Sequence, residues 1–321
     1  MELAASAEAI ESARGRLRGI AVRTPLVPLE IPGRARPIHL KLETLQPVGS
    51  FKIRGAGSAI TAASRERLAH GVYTASAGNM AQGVAWCARA VGVPCTVIVP
   101  EHAPAAKISA VERLGAKVVR VPLARWWQVM VERSYPGMDG LFVHPVSDPD
   151  VIAGNATIAA EILGDAPDTD TVLVPFGGGG LSCGIALGLR ARGSAARVFA
   201  CEVATAAPLA ASLQAGRPVF FENWTASFVD GAGGKSVLDT MWPLVQPVAG
   251  SIVVSLDEAA AAMRLAAERA RVIAEGAAGC AIAAALSGRA GKGKIVAVVS
   301  GGNIDLTTFA AIVSRPTAER Q

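Results

Sequence analysis

A single lysine stands where a loop becomes a helix in the stretch Lys41-Leu42-Glu43-Thr44-Leu45-Gln46-Pro47-Val48-Gly49-Ser50-Phe51-Lys52-Ile53-Arg54-Gly55-Ala56. Gln46-Pro47-Val48-Gly49 reads as a turn, because Pro fixes φ and Gly relaxes it, and Ser50 is placed to cap the helix that follows. Lys52 then lies in the first helical turn, flanked by Phe51 and Ile53. Partial desolvation and the positive end of the helix dipole both lower the pKa of a lysine so placed. A neutral amine is a nucleophile, able to form a Schiff base with a carbonyl cofactor. The same features also describe an ordinary solvated lysine at a helix start, so the rest of the chain has to decide.

Three turns elsewhere carry complementary chemistry. Thr171-Val172-Leu173-Val174-Pro175-Phe176 runs into Gly177-Gly178-Gly179-Gly180 and then Leu181-Ser182, the pattern of a strand, a bare turn and a helix. Four glycines let the backbone aim its N–H groups inward at a helix N-terminus, an anion site that needs no basic side chain and suits a phosphate. The turn is neither GxGxxG nor a P-loop. Glu202 at the next strand end leaves a dinucleotide site open as a rival, and a glycine turn that only packs is a third reading. Ser76-Ala77-Gly78-Asn79-Met80 is a second strand-to-helix turn whose amides suit a substrate carboxylate and whose Asn79 can donate to a ring oxygen; it is equally an ordinary serine cap. Ser300-Gly301-Gly302-Asn303 follows the last apolar strand and presents a hydroxyl, again with a cap as the plain alternative. A nucleophilic lysine, a phosphate cradle, a carboxylate turn and a hydroxyl at strand ends together describe a pyridoxal phosphate site.

The elements that position these groups alternate regularly. From Gly71 the expected strands are 71–74, 95–99, 117–121 and 141–144, separated by helices over 80–91, 104–114 and 125–133. A helix capped by Asp148-Pro149-Asp150 runs to about Gly164, and a second alternation places strands at 171–174, 198–202, 251–255 and 295–299. Before them come a helix over 7–20, an extended segment after Thr24-Pro25 and a short strand at 39–42. Buried β-branched runs alternating with helices imply an α/β fold with two doubly wound, mostly parallel sheet domains, and a ligand in the cleft between them at the carboxyl ends of the strands. With 321 residues and 51% apolar composition the chain can bury a large core.

Composition narrows the function. The 31 basic residues against 26 acidic ones give a net charge of +5. They are scattered, with no basic stripe interleaved with aromatics, which argues against nucleic acid. No apolar run is long enough for a membrane span. Cys87, Cys95, Cys183, Cys201 and Cys280 are odd in number and lack CxxC spacing, so they read as buried thiols of a reducing compartment, and the cytoplasm is expected.

In their order along the chain, Ser50-Phe51-Lys52-Ile53-Arg54-Gly55-Ala56, Ser76-Ala77-Gly78-Asn79 with Ala81-Gln82-Gly83, Gly177 to Gly180, and Ser300-Gly301-Gly302-Asn303 resemble the serine/threonine dehydratase branch of the fold-type II pyridoxal phosphate enzymes. The resemblance implies that Lys52 is the Schiff-base lysine and proton shuttle, with Phe51 as a wall behind the cofactor ring. It further implies that Asn79 bonds the ring hydroxyl, Gly177 to Gly180 with Leu181 hold the phosphate, and Ser300 faces the pyridine nitrogen. A hydroxyl there, in place of a carboxylate, makes the ring a weaker electron sink and favours loss of a β-substituent over transamination. Glu275 is expected near the ring. Ser76, Ala77, Gly78, Asn79, Met80 and Gly231 are expected around the substrate.

The implied domains are 1–68 with 149–321 for the cofactor and 69–148 for the substrate carboxylate, in a homodimer by resemblance only. The implied reaction is dehydration of a 3-hydroxy amino acid, threonine or serine or a bulkier analogue such as phenylserine or a hydroxyectoine-derived compound, to a 2-oxo acid and ammonia. Three departures bear on this. Met80 replaces the usual His, which suggests either a widened pocket or neutral drift. Ala77 replaces the Ser that serine racemases use, which argues against racemisation. Pro208 stands where the family places an Asp of a divalent-cation site with Glu202, so no metal is expected. Arg54 argues against a β-replacement enzyme, and a non-catalytic nucleotide-binding protein is the rival from another class. The Trp126-Trp127 pair reads as core.

Overall fold

The computed structural model describes residues 6–33 and 37–314. In chain order these form α1 (Ala7–Arg16), β1 (Leu26–Leu29), β2 (Ile38–Leu42), α2 (Lys52–Ala62), α3 (Arg65–Leu68), β3 (Val72–Ala75), α4 (Asn79–Val91), β4 (Cys95–Pro100), α5 (Ala105–Arg113), β5 (Lys117–Val121), α6 (Leu123–Glu132), β6 (Leu141–Phe142), α7 (Pro149–Asp165), β7 (Thr171–Pro175), α8 (Gly180–Arg190), β8 (Arg197–Val203), α9 (Pro208–Ala215), α10 (Trp242–Val245), β9 (Gly250–Val254), α11 (Leu256–Leu265), α12 (Gly276–Leu286), β10 (Ile295–Val299) and α13 (Leu306–Val313). They pack as two compact units, residues 1–22 with 46–157 and residues 23–45 with 158–321.

The first unit holds a four-stranded parallel sheet in the order β5-β4-β3-β6. From β3 the chain steps outward through β4 to β5, then returns to β6 on the other side of β3. This reversal leaves the carboxyl ends of β3 and β6 side by side, the place where open α/β sheets bind ligands. The Thr74 hydroxyl ties the two ends by donating to the Val143 carbonyl at 2.8 Å.

The second unit holds a six-stranded sheet in the order β1-β2-β10-β7-β8-β9, parallel except for the antiparallel edge pair β1–β2. Here β7, β8 and β9 run outward and β10 returns between β2 and β7, so a second reversal sets the ends of β7 and β10 together. The central strands Thr171–Pro175 and Ile295–Val299 are buried at every position, which is why they read as unbroken apolar runs rather than alternating ones. The alanine-rich α12 is buried along nearly its whole length and packs into the same core.

Local signals explain the element ends. The Asp148 carboxylate accepts from the N–H groups of Asp150 and Val151 and caps α7 as expected, and Ser255 with Glu258 forms a full capping box on α11. Other expectations shift. Ser50 does not cap α2: the helix enters through Phe51 without a side-chain cap, and the Ser50 hydroxyl is buried without a hydrogen-bond partner. β6 stops at Phe142 instead of His144, because the His144 ring takes over the backbone N–H groups beyond it.

The division into compact units also differs from the expected domains. Residues 46–68 belong with the first unit, and glycines on the packing faces explain how. A Cβ at Gly83 on α4 would stand 3.1 Å from the Lys52 carbonyl group, and one at Gly55 on α2 would stand 2.7 Å from a Val151 methyl on α7. All five cysteines are buried and unpaired. Burial pushes the thiols of Cys87, Cys95, Cys183 and Cys280 up to about 12 and that of Cys201 well up, which makes them inert packing groups.

Candidate active site

In the first unit, Lys52 is the first residue of α2 and is partly buried. Its Nζ lies 5.0 Å from the centroid of the Phe51 ring and donates to the Pro145 carbonyl at 2.8 Å. The residues that carry this carbonyl are tightly organised. His144 Nδ1 accepts from the N–H groups of Val146 at 3.1 Å and Ser147 at 3.0 Å, with the Ser147 hydroxyl at 3.2 Å. Burial first, then the charges of Arg133 and Lys52, bring the His144 pKa down to about 4, so the ring is neutral at neutral pH.

The turn after β3 stands beside this arrangement by topology. The Ser76 hydroxyl accepts from the Gly78 N–H at 3.2 Å, and Asn79 opens α4. Ser76, Ala77, Gly78 and Asn79 are all partly exposed, whereas Met80 is only 2% exposed and packs in the core with Ile53 and Val84. Met80 therefore packs into the first unit's core, against which Ala77 of the turn also packs.

In the second unit, Gly179 adopts φ +93° as the cap of α8, whose first residues are Gly180 and Leu181. That φ is strained for any side-chain-bearing residue. Gly177 is held bare for a different reason: a Cβ there would stand 2.6 Å from the Gly231 carbonyl. Gly231 lies near Glu275 in turn, since a Cβ built on it would be 3.5 Å from the Glu275 carboxylate. Glu275 precedes α12 and donates its backbone N–H to the Gly301 carbonyl at 3.0 Å, next to the buried Ser300 at the end of β10. The unit thus gathers Gly177 to Leu181, Gly231, Glu275 and Ser300 at the ends of β7 and β10.

This geometry matches a known family. The chain matches the pyridoxal-phosphate dependent enzyme family over residues 17–301. It belongs to that family. It is 41% identical over 288 residues to the L-threonine ammonia-lyase of Geobacter sulfurreducens, covering 87% of this chain and 70% of that one. It is 38% identical over 316 residues to the L-threonine ammonia-lyase of Thermotoga maritima, covering 96% and 78%. Among solved structures, a threonine deaminase from T.th. superposes with a TM-score of 0.86 at 31% identity, covering 94% of this chain and 99% of that one. Maize serine racemase superposes with a TM-score of 0.87 at 31% identity, covering 96% of each chain. The fold is fold-type II and the branch is the serine/threonine dehydratase-like one, so the cofactor is pyridoxal phosphate. The residues present fit it: in the second unit the bare turn at the head of α8 has backbone amides that would suit its phosphate, and in the first unit Lys52 has a partly buried amine that would suit its carbonyl.

Glu202 meets the first turn of α9. Its carboxylate accepts from the N–H groups of Leu209 at 2.7 Å and Ala210 at 2.8 Å and from the Ser251 hydroxyl at 2.5 Å, so it caps α9 from within the core. Burial raises its pKa, with these bonds opposing. Among the described residues no cluster of three or more His, Cys, Asp or Glu could hold a metal ion. Of the tryptophan pair, Trp126 packs against the core while Trp127 is 47% exposed. Sequence reasoning missed His144, Pro145, Arg133 and the packing of the 229–234 loop on the glycine turn. A signal existed for the last, since Asp230-Gly231-Ala232-Gly233-Gly234 holds three glycines in five residues.

Proposed function

We propose that this enzyme is a dehydratase (ammonia-lyase) that eliminates water from a 3-hydroxy amino acid, threonine or serine above all, and yields a 2-oxo acid and ammonia. The observation that carries this reading is Lys52: an amine at a helix start, hydrogen-bonded to a backbone carbonyl and set among the family's motifs. Pyridoxal phosphate, when bound, supplies the conjugated system that draws electrons from the substrate α-carbon. Lys52 would hold the cofactor and move the α-proton at its Nζ. The amides of Ser76 to Asn79 would bind the substrate carboxylate, and Gly231 would also serve the substrate. The N–H groups of Gly177 to Leu181 hold the phosphate. Ser300 would offer the ring nitrogen a neutral hydroxyl, and Asn79 and Glu275 would hold the ring. The product hydrolyses in water to the 2-oxo acid and ammonia.

The relatives named for threonine support threonine or serine as substrate, and Met80 would stand at the substrate side of the carboxylate turn. Ala77 supports elimination over racemisation, having no hydroxyl to move a proton on the opposite face. The division into cofactor-holding and carboxylate-binding parts, the homodimer and the cytoplasmic location belong to the same proposal. Among the described residues no helix is long and apolar enough to cross a membrane. The test is release of ammonia and 2-oxo acid from serine, threonine, 3-hydroxyaspartate and 3-phenylserine. Turnover of threonine or serine ahead of the bulky member is expected; racemised substrate without ammonia would overturn the reading.

A further inference from the structure

The groups behind the Pro145 carbonyl form a chain that no step above uses. Arg133 ends α6 in the left-handed region, at φ 57°. A residue with a side chain holds that conformation at a cost and needs its surroundings to fix it. From there its guanidinium donates to Ser147 twice, to the hydroxyl at 2.7 Å and to the carbonyl at 3.3 Å. Ser147 is buried and in turn donates its N–H to His144 Nδ1. A ring nitrogen that accepts two backbone N–H groups carries no proton, which fixes the tautomer. The ring also hydrogen-bonds the Met130 backbone and stacks edge-on against Phe142, with centroids 6.1 Å apart. Arg133 and Lys52 are the charged groups that face it.

We propose, on the reading of Lys52 given above, that His144 is a positioning residue for that lysine. By gathering the N–H groups of Val146 and Ser147, with Arg133 bracing Ser147 from outside, it holds the 145–147 turn so that the Pro145 carbonyl is aimed at Lys52 Nζ. The carbonyl orients the amine through one of its N–H bonds and keeps it in one place while it takes a proton from the substrate and returns it. A backbone carbonyl cannot be tuned by substitution at its own position, so its alignment depends on what holds the turn.

The test uses the full-length chain. His144→Ala should lower kcat about 10- to 100-fold with KM within about threefold, the signature of a displaced reacting group. It should also slow recapture of pyridoxal phosphate by the stripped protein, followed by absorbance, by a similar factor. His144→Asn, whose carboxamide oxygen can accept the same N–H groups, should recover most of both. Because the alanine variant empties a buried site and can fail to fold, Arg133→Gln and Ser147→Ala carry the same test from positions that weaken the turn without removing the ring. Each should lower kcat and recapture rate together, by about threefold or more, as a lost charge-assisted or buried hydrogen bond does. Wild-type recapture in Arg133→Gln and Ser147→Ala, or an Asn variant no better than Ala, would overturn the proposal. Failure of the dehydratase reading shows separately, as no ammonia from wild-type protein that still captures the cofactor.

Discussion

The two units treat a lysine in opposite ways. In the first, Lys52 opens a helix, partly buried, with its amine held by a backbone carbonyl and a phenyl ring beside it. In the second, Lys41 leaves β2 fully buried, and its amine is bonded to the Glu161 carboxylate at 2.6 Å and the Thr24 carbonyl at 2.5 Å. The Thr24 hydroxyl extends this network to Glu43 at 2.6 Å. Both lysines sit in one short stretch of sequence, and neither side-chain chemistry nor local composition separates them. Lys41 is tied to a carboxylate inside the core and serves structure, whereas the Lys52 amine meets a backbone carbonyl at the head of a helix.

Substitution should split the pair along that line. Lys52→Ala should cost on the order of 10⁴-fold in turnover or more, the value of a positioned proton-transfer group at its upper range, while urea melts leave stability nearly unchanged. Lys41→Ala should do the reverse: stability falls by about 1–3 kcal/mol, because the Glu161 carboxylate and the Thr24 carbonyl each lose a hydrogen bond from the buried amine. Lys41→Met combined with Glu161→Leu should restore most of that loss. A Lys41 variant that folds at wild-type stability yet has lost turnover would erase the distinction.

Acid titration sharpens the first unit's side. The unfolded chain takes up a proton on His144 near pH 6.5, which the native protein refuses until about pH 4. The stability present above pH 6.5 should therefore fall as pH drops from about 6.5 to 4, by about 3 kcal/mol from this group, at roughly 1.4 kcal/mol per pH unit. His144→Asn should flatten that part of the pH–stability curve, measured by denaturant midpoints. In the second unit the corresponding polar anchor is Glu202, and Glu202→Ala should cost about 1–3 kcal/mol by orphaning two N–H groups and a hydroxyl. Its thermal melt, compared with that of the Lys41 variant, ranks the two buried carboxylate networks.

The same contrast explains what could be read from sequence. The glycine turn at 177–180 was legible because a missing side chain is visible in the letters, and its partner strand is an unbroken apolar run. The strand at 295–299 agrees with the expectation for the same reason, and that at 117–121 agrees through its β-branched Val118, Val119 and Val121. The setting of Lys52 was half legible: Phe51 and the helix start were visible, but the Pro145 carbonyl was not, since backbone acceptors carry no letter. Ser50 misled because it has a sound local reading, a helix cap, that tertiary packing overrides. Lys41 carried no signal at all, because its partner Glu161 is distant in sequence and meets it only through the strand-to-helix packing of the second unit.

The most direct measurement is to load the protein with pyridoxal phosphate, reduce the adduct with borohydride and map the labelled peptide by mass spectrometry. Label on Lys52 alone is expected, with none in the Lys52→Ala protein. Label on Lys41 or any other lysine, or a reduced adduct that persists in Lys52→Ala, would contradict the account.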